Sequence, residues 1–192
     1  MLITHEREKL INAIIYFARN TDNCGITKLM KLLFLLDFEH FKLTGRSVTG
    51  QDYYAYPKGP VPGEIHAELS NDFGDDLADA LNVEAERVGN YTRYTIIPKL
   101  NFDDSLFSKR ELRILEATAA QFRGHTATEM VDVTHAENGV WDRVYADGEG
   151  KFLHIPYELA LPEADMPEFI LEKSKEFSAL RAHFESCETR PH

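Results

Sequence analysis

Gly25-Ile26-Thr27-Lys28-Leu29-Met30-Lys31-Leu32-Leu33-Phe34-Leu35-Leu36-Asp37-Phe38-Glu39-His40-Phe41-Lys42-Leu43-Thr44 is the stretch on which the fold turns. Wound as a helix, its apolar residues cover nearly the whole circumference and leave only a narrow polar stripe through Lys28, Lys31, Glu39 and Lys42. A helix that is apolar on every side belongs at the centre of a core, since only there does each face find apolar neighbours. Gly45 supplies a C-terminal stop, because glycine takes the left-handed conformation that ends helices. The most apolar part, 29–36, is too short to span a bilayer and is bounded by Lys28, Lys31 and Asp37, so membrane insertion is not expected.

Working outward, residues 6–19 place Leu10, Ile11, Ile14, Ile15, Phe17 and Ala18 at spacings of three and four, an amphipathic helix starting near Thr4 or His5 and ending in Asn20-Thr21-Asp22-Asn23. On the other side, Tyr53-Tyr54-Ala55-Tyr56 reads as a short extended piece. Pro57-Lys58-Gly59-Pro60-Val61-Pro62-Gly63 reads as a stiff turn into a helix from Glu64 to about Phe73, with proline and an acid in its first turn. The β-rich runs 83–88 and 91–97, joined by Gly89-Asn90, predict one hairpin and no other sheet. Capping boxes at Ser108-Lys109-Arg110-Glu111 and Thr126-Ala127-Thr128-Glu129 open helices to about 122 and 136. The chain then turns irregular after Trp141, through Gly148 and Gly150. A last amphipathic helix over about 167–184 carries Ile170, Phe177, Leu180 and Phe184 on one stripe. The expected fold is mainly α, of the α+β kind: a single-domain helical bundle over 1–192, built around a central buried helix with one small β-hairpin.

The chain has 192 residues, long enough to bury a substantial core in one domain. Its net charge of −11 repels the nucleic-acid backbone and favours a basic protein partner. Residues 64–86 hold Glu64, Glu68, Asp72, Asp75, Asp76, Asp79, Glu84 and Glu86 with no Lys or Arg among them, which is either a solvated face or a docking surface for such a partner. Cys24 and Cys187 lie far apart without disulfide-dense spacing, and the charged residues of the first ten positions leave no secretory h-region; a cytoplasmic location is expected.

No catalytic, metal or cofactor site is expected. His40, His66, His135, His154 and His183 show neither a His-Glu-x-x-His spacing nor a Cys/His pairing. Asp147-Gly148-Glu149-Gly150 lacks the alternating oxygen ligands of a calcium loop. A hydrolase using His135 with an acidic neighbour, or with Cys24 or a serine, would need those groups brought together, and nothing in the spacing does so. The 59–63 loop before a helix does not suit phosphate, because Pro60 and Pro62 each remove a backbone donor. It is either rigid scaffolding or a preorganised protein-binding edge formed by Tyr53, Tyr54, Tyr56, Lys58 and Val61, where stiff backbone and aromatic side chains lose little entropy on binding.

The run 25–41 quoted above, followed by Thr44-Gly45-Arg46-Ser47-Val48-Thr49-Gly50, Tyr54-Ala55-Tyr56 and Lys58-Gly59-Pro60-Val61-Pro62, resembles the Panacea domain, the SocA-like antitoxin family. The likeness continues through Thr134-His135 and Trp141 to Ile155-Pro156-Tyr157. The resemblance implies an antitoxin of a two-gene toxin–antitoxin pair, found in bacteria and their prophages and other mobile elements, that binds a cognate protein toxin. One branch of the family is a proteolytic adaptor that delivers its toxin to the ClpXP protease, and for that role the tail at 188–192 or the last helix is the candidate contact. The family brings no catalytic residues with it.

Overall fold

A computed structural model describes residues 4–70, 73–136 and 139–188. In chain order its elements are α1 (Glu6–Asn20), α2 (Ile26–Thr44), β1 (Tyr53–Tyr56), β2 (Gly59–Pro62), α3 (Gly63–Ser70), α4 (Asp75–Ala80), β3 (Leu81–Val88), β4 (Tyr91–Pro98), α5 (Lys109–Gln121), α6 (Ala127–Thr134), α7 (Val140–Tyr145), β5 (His154–Ile155) and α8 (Pro167–Glu188). The fold is mainly α with a few short strands, as the sequence predicts. No helix among the described residues is long and apolar enough to cross a membrane.

α2 is the hub, packed against α1, α3, α5, α6, α8, β2 and β4. Leu29, Leu32, Leu33 and Leu36 are wholly buried, and the helix ends where Gly45 takes φ 72° and approaches α8 so closely that a Cβ would lie 2.8 Å from the Ile170 carbonyl oxygen. The expected polar stripe is corrected in one respect: Lys28 and Lys31 are buried with the leucines, and so is Asp37, while Glu39 is exposed and Lys42 half-buried. Each buried charge has polar groups brought to it by the chain. Lys28 donates to the carbonyls of Asp22 at 2.9 Å, Arg123 at 2.8 Å and His125 at 2.7 Å, which matches its three donors to three acceptors. Asp37 accepts from the amides of Val48 and Thr49, from the Thr49 hydroxyl and from the Tyr53 hydroxyl. The segment after Gly45 is thus strapped to the helix by a single carboxylate.

Two sheets form where one was expected. The 83–97 hairpin is present as β3–β4, turning at Gly89 with φ 60°. The second sheet has the order β2-β1-β5, antiparallel throughout. Its β2 occupies residues read from the sequence as a turn; only Pro57-Lys58 turns, between the paired Tyr56 and Gly59. Two prolines argue against a strand, yet they are tolerated because β2 is an edge and needs no ladder donors on its outer side.

Charged contacts tie the helices together. Arg7 of α1 makes a two-pronged contact with Glu68 at 2.9 and 2.7 Å and also donates to Asp76 at 2.8 and 2.9 Å, so two acids of the 64–86 run are already matched within the chain. Lys9 meets Glu111 at 2.7 Å in a largely buried pair. Burial alone would raise the Glu111 carboxyl, but Lys9 and the Ser108 amide hold it below the usual range. The same Glu111 closes the capping box with Ser108, and Glu129 does so with Thr126, both as predicted. Residues after Trp141 are more regular than expected, with α7, β5 and a 3-10 helix at Tyr157–Glu163. On α8 the predicted stripe buries only its start: Ile170 is buried, while Leu180 is 44% exposed. Residues 189–192 of the tail named for protease contact lie outside the described residues.

Candidate partner-binding face

Strand alternation divides the tyrosines. Successive side chains of β1 point to opposite faces, so Tyr53 and Ala55 enter the core while Tyr54 and Tyr56 are half-buried on the outer face. Tyr53 is completely buried, donates to Asp37 at 2.8 Å and meets the rings of Phe34 and Phe38 edge-on at 5.5 and 5.6 Å. Tyr53 is therefore a core anchor and not a surface residue, which corrects the sequence reading. Val61 is corrected likewise: it is only 6% exposed and belongs to the main core. Tyr54, Tyr56 and the exposed Lys58 remain on the outer face.

The structure adds residues there that the sequence reading passed over. Tyr54 lies edge-on to His154 across the β1–β5 pair, and Tyr56 lies edge-on to Phe152 at 4.8 Å and to His66 at 5.7 Å. Phe152 and Leu153 are 52% and 58% exposed. Phe152 also has φ 67°, a conformation rare for a bulky residue, and it is held there by its amide donating to the Ala55 carbonyl at 2.8 Å while Ala55 donates to the Leu153 carbonyl at 2.9 Å. The available signal was the apolar pair Phe152-Leu153, one residue after Gly148-Glu149-Gly150, where a surface turn would carry polar residues.

Beneath this face, Trp141 donates its indole N–H to the Tyr56 carbonyl at 3.0 Å and stacks flat between His135 at 3.7 Å and Tyr145 at 4.4 Å. Gly59 has φ 97°, and a Cβ there would lie 2.8 Å from Thr134 Oγ1 and 2.9 Å from Lys31 Nζ. Glycine is thus required twice, for its backbone angle and for the close approach. Lys31 donates to the Pro60 carbonyl at 2.8 Å, and burial pushes its ammonium down to about 7. Burial, with the Lys31 charge second, also lowers His66 and His135. A cavity of about 280 Å³ opens beside Lys31, with Tyr56, Lys58, Val61 and His66 among its walls.

The groups weighed for catalysis are differently placed. Cys24 is buried and its thiol is pushed up to about 11, away from the reactive thiolate. His135 is pinned flat against Trp141 at the end of α6. Among the described residues, no group of three or more His, Cys, Asp and Glu side chains could hold a metal ion.

The residues singled out at 25–50, 54–62, 134–141 and 155–157 thus converge on one construction, a buried charged helix strapped to a small sheet whose outer face is aromatic. A mainly α domain of this kind offers a shaped surface. The chain belongs to the SocA-like antitoxin family: the model of that family, described as antitoxin SocA-like, Panacea domain, matches residues 29–142. No curated protein and no solved structure matches the chain.

Proposed function

We propose that this protein is the antitoxin of a toxin–antitoxin pair and neutralises its toxin in the cytoplasm by direct binding through the outer face of the β1–β2–β5 sheet. The family match over 29–142 carries the antitoxin reading, since it spans most of α2 and the whole β1–β2 hairpin. Three features favour this face: Tyr54 and Tyr56 are partly open, Phe152 is held exposed at a positive φ, and Lys58 projects from a two-residue turn. Aromatic side chains on stiff backbone supply contact area at low entropic cost. The net charge of −11 favours a basic toxin and speeds encounter with it.

The test is co-expression with the product of the adjacent gene. Growth should be rescued, and the two chains should copurify in a host lacking its ATP-dependent proteases. Tyr56→Ala and Phe152→Ala should each weaken the complex at least about tenfold, the hot-spot scale, without altering circular dichroism. Rescue that vanishes without the proteases would instead assign the chain to proteolytic delivery. Rescue and copurification that survive both substitutions in folded protein would move the interface off this sheet.

A further inference from the structure

The β3–β4 hairpin has two edges, and the chain closes one of them. Val88 and Tyr91 flank the two-residue turn and pair with each other, so the ladder bonds fall on 88, 86, 84 and 82 of β3, and the N–H and C=O groups of Arg87, Ala85, Val83 and Leu81 point away from β4. The same alternation turns Tyr94 and Ile96 outward on β4. That side is closed: the Ile96 amide donates to the Cys24 carbonyl at 3.3 Å, and Gly25 lies so near that a Cβ there would be 2.5 Å from the Tyr94 carbonyl oxygen. On β3 the Leu81 amide returns to the Leu77 carbonyl, but among the described residues nothing bonds to the outward backbone groups of Val83, Ala85 or Arg87. A groove of about 540 Å³ opens at this edge, with Val83 and Ala85 among its walls together with Ile26 of α2, Leu69 of α3 and Phe73. An open edge beside such a groove offers an added strand both backbone bonds and a pocket for its alternate side chains.

Charge decides between the possible strands. Alternation puts Val83 and Ala85 on the face of β3 that carries the buried Leu81, and Glu84 and Glu86 on the other face, where both are exposed. The basic groups of the hairpin leave these acids in need of partners: Arg93 comes no nearer to Glu86 than 3.8 Å, and Arg87 lies on the groove-side face at the turn end. A second copy of the chain is a poor occupant. The two-fold antiparallel register that pairs all three open residues sets Ala85 against its own copy and Glu84 against Glu86 of the other copy, and like charges directly opposite each other are destabilising. We propose that the β3 edge docks an extended basic segment of a partner protein, which adds to the hairpin as a third strand with lysine or arginine opposite Glu84 and Glu86 and with apolar side chains alternating into the groove. The assignment is independent of the antitoxin reading and of the β1–β2–β5 face.

The experiment uses the full chain and an acetylated, amidated heptapeptide, Thr-Val-Lys-Val-Lys-Val-Thr, with a twin in which glutamate replaces lysine. Binding is read from the backbone amide signals of Val83, Ala85 and Arg87 in isotope-labelled protein at low salt. The lysine peptide should bind about tenfold more tightly than its twin, the scale of exchanging two opposite-charge pairs for two like-charge pairs. Methylating either the valine amides or the lysine amides of the peptide should abolish binding for one set and spare it for the other, because only alternate amides of an added strand face the edge. Ala85→Pro removes the middle donor of the edge, which has no partner in the fold, and should abolish binding with little change in melting temperature. Glu84→Lys combined with Glu86→Lys, both at exposed positions, should reverse the preference in favour of the glutamate peptide. No binding by the lysine peptide, equal binding of the twins, or equal effects of the two methylated sets would each overturn the proposal. Self-association in sedimentation that is lost in Ala85→Pro would overturn it in favour of a second copy of the chain.

Discussion

Tyr53 of β1 donates its hydroxyl to Asp37 of α2 at 2.8 Å, and both side chains are completely buried. Asp37 also takes the Val48 and Thr49 amides at 2.8 and 2.9 Å, so one carboxylate organises the helix, the following loop and the first strand. Burial pushes the Asp37 carboxyl up, and the bonds from Thr49, Tyr53 and Val48 pull against it. Asp37→Ala strands two amides and two hydroxyls without an acceptor. Loss of about 3 kcal/mol or more in urea unfolding is expected, since each unpaired buried polar group costs about 1–3 kcal/mol. Tyr53→Phe removes one of the four bonds and should cost about 1–2 kcal/mol. If Asp37→Ala is as stable as Tyr53→Phe, the carboxylate is not the strap.

Gly59→Ala meets two obstacles at once, a φ of 97° and atoms of Thr134 and Lys31 within 3 Å of the new Cβ. The Lys31 side chain could retreat only by giving up the Pro60 carbonyl. A stability loss of about 2 kcal/mol or more is expected. Gly89→Ala is the control, because its φ of 60° is also positive but nothing lies within 4 Å of a Cβ there. Similar melting temperatures for the two variants would show that crowding at Gly59 contributes nothing beyond the backbone angle.

Lys28→Met tests the other end of α2. Its ammonium satisfies three carbonyls, from the loop before α2 and from Arg123 and His125 between α5 and α6. Methionine fills the volume but donates nothing, so all three acceptors lose their partner. A loss of about 3 kcal/mol is expected by chemical denaturation. Lys173→Met on α8, where the charge is solvent-exposed, should change stability by less than about 0.5 kcal/mol.

The central helix was legible in the sequence because apolar periodicity alone reports burial on all sides. The role of its charges was not. Lys28 and Lys31 look like part of a solvated stripe on a helical wheel, and Asp37 like an ordinary helix charge; only the tertiary return of Arg123, His125, Pro60 and Thr49 turns them into buried anchors. β2 was hidden by Pro60 and Pro62, whose missing donors argue against any strand that is not an edge. For the candidate site, the sequence reading placed Tyr53 and Tyr54 on one edge; strand alternation parts them, and the Asp37 contact sets Tyr53 as the one that faces in. Phe152 owes its exposure and its φ to hydrogen bonds with Ala55, nearly a hundred residues earlier in the chain, and local sequence carries no trace of that pairing.

The last prediction concerns pH. Burial pushes the Lys31 ammonium down to about 7, whereas a lysine of the unfolded chain titrates near 10.4. Between those values the unfolded chain holds a proton that the folded one has released, so stability rises with pH there. Below about 7 both states are protonated at this position, and the unfavourable contribution of the buried ammonium is complete and constant. The groups nearby act in other windows. His66 and His135 are both lowered, so their contributions change below the ordinary histidine value of about 6.5. Asp37 is raised, so the unfolded carboxylate ionises first, and stability falls as pH climbs from about 4 until Asp37 itself ionises. Because Lys31→Met leaves the other three groups in place, the difference between the two proteins from pH 7 to 9 reports the Lys31 titration. Wild-type stability, measured by urea titration, should gain about 1 kcal/mol per pH unit relative to Lys31→Met across that interval. Parallel curves for the two proteins from pH 7 to 9 would mean that the buried amine keeps its proton, and that a partner for its charge is already present inside the fold.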